Sequence, residues 1–118
     1  MKIGVFNKKK PTDSFEERQW REYCKEVLKA IENENLGNQI RFITSNLQNR
    51  FICIDTQDNE VRKKYEGTAC LAVNDCLYRL WKYSKGKGLI DDAVDFNAFC
   101  IGNLSVFNIE KLEKMYIP

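Results

Sequence analysis

The stretch Thr68 to Gly88, TACLAVNDCLYRLWKYSKGKG, constrains the fold of this chain more than any other. Ala69, Val73, Cys76, Leu77, Leu80 and Trp81 recur there at the spacing of a helix with one apolar stripe. Thr68 can cap its start, and Gly86 and Gly88 end it. Each large apolar side chain contributes roughly 1.5–3 kcal/mol when fully buried. The rest of the chain must cover that stripe, so this segment is expected to be the central helix.

At 118 residues the chain has the size of one globular domain, 1–118, and can bury a core without a metal or disulfide. Charged residues make up 31% of it, yet the formal charge is only +2. That is too little to mark a nucleic-acid or membrane surface, and it is not acidic enough to mimic DNA. The sequence has no histidine. The Ser-His-Asp and Cys-His arrangements and the commonest zinc ligand are therefore out of reach. No catalytic residue, metal or cofactor is expected.

The five cysteines are Cys24, Cys53, Cys70, Cys76 and Cys100. Their number is odd and no C-x-x-C occurs. All but Cys70 fall on predicted apolar faces, where a thiol acts as a small hydrophobe. They read as reduced core thiols of a cytoplasmic protein. The opening MKIGVFNKKK is too short and polar for a signal peptide, and no apolar run approaches a membrane span. Heavy use of Asn, Lys and Ile fits AT-rich codons, as in a bacterium, its phage or a mobile element.

In chain order, Lys2 to Asn7 reads as a short strand, followed by Lys8 to Lys10 and a stop at Pro11. Ser14-Phe15-Glu16-Glu17 matches a capping box. A helix is expected from Ser14 to Asn35, with Trp20, Cys24, Val27, Leu28 and Ile31 inward and Gly37 as its left-handed terminator. Glu22 with Lys25, and Glu26 with Lys29, can pair on its wet side. Ile40 to Thr44 and Phe51 to Ile54 read as a β-hairpin around SNLQNR. A helical turn should start at Asp58, and Gly67 should redirect the chain. Asp91 to Phe107 reads as a second β region with a two-residue turn at Gly102-Asn103. Asn108 can cap a short helix carrying Ile109, Leu112 and Tyr116. The expected class is α+β: one domain with a small, mostly antiparallel sheet packed by two main helices. The first six elements follow the ferredoxin-like β-α-β-β-α-β order.

Four constellations bear on function. KGKGL follows a helix and lacks the Ser or Thr of a phosphate loop, so it reads as a cationic helix end. Asp91, Asp92 and Asp95 lack the alternating ligands of a calcium loop and read as a solvated turn. NRFICI joins a basic residue to an aromatic, as base-stacking sheets do, but lacks their glycines and further aromatics. Trp20 with Arg21 and Tyr23, and Arg79 with Lys82 and Tyr83, mix aromatic and basic groups as binding surfaces do.

The expected function is a non-enzymatic intracellular binding or inhibitor protein of phage or mobile-element type. It would block a host protein or sequester a small anionic ligand, through Arg79, Lys82, Tyr83, Lys85, Lys87, Trp20 and Arg21. A toxin-neutralising immunity protein belongs to the same class. The alternatives are a nucleic-acid-binding accessory protein, with weak binding at most, and a small enzyme on a phosphorylated substrate. Self-association into a homodimer is a further option for the partner; a membrane is not.

Overall fold

Two long helices run side by side in the same direction. The first, α1, is Phe15–Glu32, and the second, α4, is Cys70–Gly86. A computed structural model describes residues 15–51, 57–102 and 104–114 of the chain. Contacts from Glu17 to Ala69 and from Cys24 to Cys76 both join residues 52 positions apart, which sets a parallel register. The ion pair from Glu34 to Lys87 continues it beyond the helix ends.

The central helix forms as its periodicity predicts. Val73, Cys76, Leu77 and Leu80 are fully buried, and Trp81 is half-buried at the edge of the stripe. Thr68 Oγ1 accepts from the Cys70 amide at 3.1 Å, the expected cap. Helix α1 likewise buries Cys24 and Val27, with Trp20, Leu28 and Ile31 packed against the core. Of its two expected surface pairs, Glu22 and Lys25 meet at 3.3 Å.

Parallel neighbours need a return element between them, and α2, Ile40–Gln48, supplies it. It runs antiparallel to α1, since Arg50 meets Glu17 while Asn46 meets Tyr23. The expected hairpin is therefore overturned. Ile40, Ile43, Thr44 and Leu47 are all buried, and their spacing is that of a helix stripe. Phe42, which a strand would place beside Ile40, is 67% exposed. The β-branched run was compatible with either structure; its continuation to Leu47 decides for helix. Thr44 Oγ1 donates to the Ile40 carbonyl at 2.8 Å and satisfies its buried hydroxyl within the helix. Residues 52–54 of the expected second strand, like the strand Lys2 to Asn7, lie outside the described residues.

Asp58 caps α3, Asn59–Tyr65, by accepting from Glu60 N at 2.9 Å. Gly67, at φ 92, redirects the chain into α4 as expected. The second β region is also overturned. Asp95 caps a short helix α5, Phe96–Ile101, accepting from Ala98 N at 2.7 Å. Phe99 and Cys100 are adjacent and both buried, which a strand's alternation forbids. Gly102 ends this helix rather than forming a hairpin turn: a Cβ there would lie 2.4 Å from the Ala98 carbonyl oxygen.

A 3-10 turn, Leu104–Val106, leads into α6, Ile109–Lys114, which Asn108 caps as expected through Lys111 N. Leu112 is buried there, Ile109 is largely exposed, and Tyr116 lies outside the described residues. The sole β pairing among the described residues is an isolated antiparallel bridge, Ile90 to Phe107. The protein is thus a helical domain, not an α+β sheet protein of ferredoxin-like order. No helix among the described residues is long and apolar enough to cross a membrane.

Candidate functional site

The exposed side of α1 carries two open hollows that share Gln19 and Tyr23. One, of about 360 Å³, is lined by Glu16, Gln19, Trp20, Tyr23 and Asn46. The other, of about 500 Å³, is lined by Phe15, Arg18, Gln19, Glu22, Tyr23 and Glu26. The two adjoining hollows, the α1 groove, meet at Gln19 and Tyr23 and together span Phe15 to Glu26, roughly 16 Å at the usual rise per residue.

Its floor is aromatic and fixed. Trp20 and Tyr23 meet edge to face, with ring centroids 5.7 Å apart. Asn46 Nδ2 donates to the Tyr23 hydroxyl at 3.0 Å and ties α2 to the groove. The Arg50 guanidinium lies 5.5 Å from the centre of the Trp20 ring. Phe15, at the mouth, is 68% exposed. Phe42 lies one helical turn before Asn46 on α2 and is equally open. A phenyl group left this open beside an aromatic hollow is costly to leave in water, and surfaces of this kind mark contact sites.

Beneath the groove, the start of α1 is locked to the start of α4. Glu17 accepts from Arg50 at 2.7 Å and from the Ala69 amide at 2.5 Å. Partial burial pushes the Glu17 carboxyl up, but these two donors outweigh it and hold the group below the ordinary carboxylate range. Arg21 donates to the Thr68 carbonyl at 2.8 Å. The floor therefore rests on a rigid junction of three helices.

Family models, curated proteins and solved structures give no match to this chain.

Of the residues expected to bind, Trp20 lines the groove, whereas Arg21 is spent on the helix junction. The others lie elsewhere, along α4 and its end. Arg79 and Lys82 are exposed, and Lys82 sits 5.5 Å from the Tyr78 ring. The Lys85 ammonium is 4.6 Å from the Trp81 ring centre, and Trp81 itself donates to the Val94 carbonyl at 2.8 Å. Lys87 pairs with Glu34 and lies 5.7 Å from the Tyr83 ring. These lysines cover the protein's own aromatic rings. Lys8 to Lys10, the other expected cationic group, lie outside the described residues.

The aspartate group is structural where contacts are seen. Asp91 accepts from the Ala93 amide at 2.7 Å, and Asp95 is the helix cap. No set of three or more metal-ligating side chains gathers among the described residues. Sequence reasoning missed Phe15, Gln19, Phe42 and Asn46. A helical reading of Ile40 to Leu47 would have turned Phe42 outward and Asn46 toward the same side.

Proposed function

We propose that this protein is a non-enzymatic binding protein that blocks another protein, with the groove on α1 as its contact surface. The observation that carries this reading is the widely exposed Phe15 beside the fixed aromatic rings of Trp20 and Tyr23, with a second exposed phenyl group, Phe42, on the neighbouring helix α2. Aromatic anchors on a rigid support are the usual centres of binding energy in protein interfaces. The protein acts in the cytoplasm, where its free, buried thiols stay reduced. Its composition suits an antagonist of phage or mobile-element type directed at a host protein.

A protein partner is favoured over a small anion. Glu16, Glu22 and Glu26 line the groove with Arg18, and Arg50 and Lys25 are paired with Glu16 and Glu22, so no surplus of cations gathers there for a small anion. Lys82, Lys85 and Lys87 are engaged with aromatic rings or with Glu34, which leaves nucleic acid weak binding at best.

The test is a pull-down from the source cell with wild-type protein and with Phe15→Ser/Phe42→Ser. Both side chains are exposed, so the variant should fold normally. A protein recovered by the wild type and lost with the variant supports the reading. Recovery that is indifferent to both phenylalanines, or recovery of nucleic acid alone, overturns it.

A further inference from the structure

We propose that Cys24 and Cys76 are a redox pair, which a peroxide oxidises to a disulfide that fastens α1 to α4. This is independent of the groove and of its partner.

Cys24 lies near the middle of α1 and Cys76 near the middle of α4. The offset of 52 residues that sets Glu17 against Ala69 also sets Cys24 against Cys76. Cys76 Sγ reaches across to 3.9 Å from the Cys24 carbonyl oxygen. Helices packed side by side have axes roughly 8–10 Å apart. Residues facing each other across such a contact then have Cα atoms roughly 3.5–5.5 Å apart, given a Cα radius of about 2.3 Å. A disulfide spans about 4.4–6.8 Å between Cα atoms. Cys70, by contrast, starts α4 six residues before Cys76, roughly 9 Å back along the axis. That places it out of reach of Cys24.

The chemistry divides between the two sulfurs. The Cys76 thiol beside it draws the Cys24 thiol below its ordinary value, against the effect of burial. Cys24 is therefore the first to form the thiolate, which is the nucleophile. Its sulfur attacks one oxygen of hydrogen peroxide, the O–O bond breaks, and Cys24 becomes a sulfenic acid. The hydroxide that leaves recovers the proton Cys24 shed. The Cys76 sulfur then attacks the Cys24 sulfur. The S–S bond forms, the S–O bond breaks, and the departing hydroxide takes the Cys76 proton. Two thiols have given up two electrons, and the peroxide has become two waters.

Burial sets both the rate and the product. Cys24 and Cys76 are almost wholly enclosed, so peroxide enters only during openings of the contact and the reaction is slow. The same enclosure holds Cys76 against the new sulfenic acid and shuts out the second peroxide that would carry it to sulfinic acid. Both thiols are unbridged in the resting protein, so the disulfide is a response to oxidant and not a permanent staple.

To test this, the reduced chain is incubated in native buffer with hydrogen peroxide, blocked with N-ethylmaleimide and weighed by intact-mass spectrometry. Trypsin and an Asp-specific protease then map the bridge, since cleavage before Asp75 separates Cys70 from Cys76. The expected product has lost two hydrogens and joins Cys24 to Cys76. Its urea midpoint should be higher than that of the reduced protein, and dithiothreitol should reverse the rise. Cys24→Ala and Cys76→Ala should each abolish both the bridge and the rise. If either variant fails to fold, the map of the wild-type bridge decides alone. A bridge at another pair in place of this one, sulfinic acid without a bridge, or two unreacted thiols overturns the proposal. So does a Cys24–Cys76 bridge that leaves the urea midpoint unchanged, since it would not fasten the helices.

Discussion

The Glu17 carboxylate accepts a hydrogen bond from the Ala69 amide at 2.5 Å, and this contact fixes where α1 meets α4. The Ala69 amide is one of the otherwise unpaired donors at the start of α4. A side chain 52 residues earlier thus caps the central helix. The second oxygen of Glu17 holds Arg50, so α1, α4 and the end of α2 are joined through one carboxylate.

Glu17→Ala should therefore destabilise the fold by about 2–3 kcal/mol, the usual cost of losing charge-assisted hydrogen bonds at a shielded site. The Glu17 side chain is only 15% exposed, so solvent screens the pair little. Its folded pKa is lowered from an ordinary 4.5. Its stabilising contribution is therefore complete above that value and is lost as pH falls through the lower, folded one. Urea unfolding of wild type and Glu17→Gln should show a wide stability gap at pH 7 that narrows in acid. A gap independent of pH would mean that the carboxylate's charge is not what binds the junction.

The long helices were legible because each supplies an apolar stripe over several turns, longer than any strand would be. Caps were legible for the same local reason: Asp58, Thr68 and Asn108 each act on amides two or three residues ahead. The short elements were not. Ile40 to Thr44 is a β-branched run, and only Leu47 discriminates between the two periods. Asp95 reads equally as a loop acid or a cap. The groove was legible at Trp20 and Tyr23, whereas Asn46, which ties α2 to it, depends on α2 being a helix. The capping box at Ser14 is half visible: Ser14 lies outside the described residues, while Glu17 serves the distant Ala69 and Arg50.

Leu77 is fully buried on the inner stripe of α4, whereas Lys82 is on its wet side. Leu77→Ala should cost about 2–5 kcal/mol through lost burial and the cavity left behind. Lys82→Ala should cost less than about 1 kcal/mol, since it removes one exposed contact to the Tyr78 ring. Chemical denaturation of both variants checks the facing of the helix. Similar small losses would contradict it.

Both long helices end in the same way, but with different residues. After α4, Leu89 N bonds Ser84 O at 2.8 Å and Gly88 takes the left-handed turn at φ 73. After α1, Asn35 N bonds Ala30 O at 3.0 Å, and there the left-handed residue is Glu34 at φ 53. The terminator is thus Glu34 and not the expected Gly37, although Gly37 also has positive φ. A side chain in this conformation costs roughly 1–2 kcal/mol, which glycine avoids. Glu34→Gly and Glu34→Ala both remove the pair with Lys87, so their difference isolates the backbone. The glycine variant should be the more stable of the two by about 1 kcal/mol. Thermal melts that rank alanine at or above glycine would show that the turn is unstrained.

The cysteines offer the last test. Cys24, Cys70, Cys76 and Cys100 are buried thiols outside any disulfide, while Cys53 lies outside the described residues. The Cys76 thiol lies against Cys24, donating to its carbonyl oxygen at 3.9 Å. Its contact with Cys24, and then its burial, push that thiol well above its ordinary value. Because the thiolate is the nucleophile, burial suppresses reaction of all four in the native state, and the raised pKa suppresses it further at Cys76 alone. Iodoacetamide at mildly alkaline pH should therefore label the four buried thiols at least about a hundredfold more slowly in native protein than in denatured protein, through rare opening alone. In denaturant without reductant, all five should label, since Cys24, Cys70, Cys76 and Cys100 form no bridge. Intact-mass spectrometry counts the adducts. Two or more unlabelled sites in the denatured, unreduced protein would reveal a disulfide, and rapid native labelling at Cys24 or Cys76 would show that α1 and α4 separate readily.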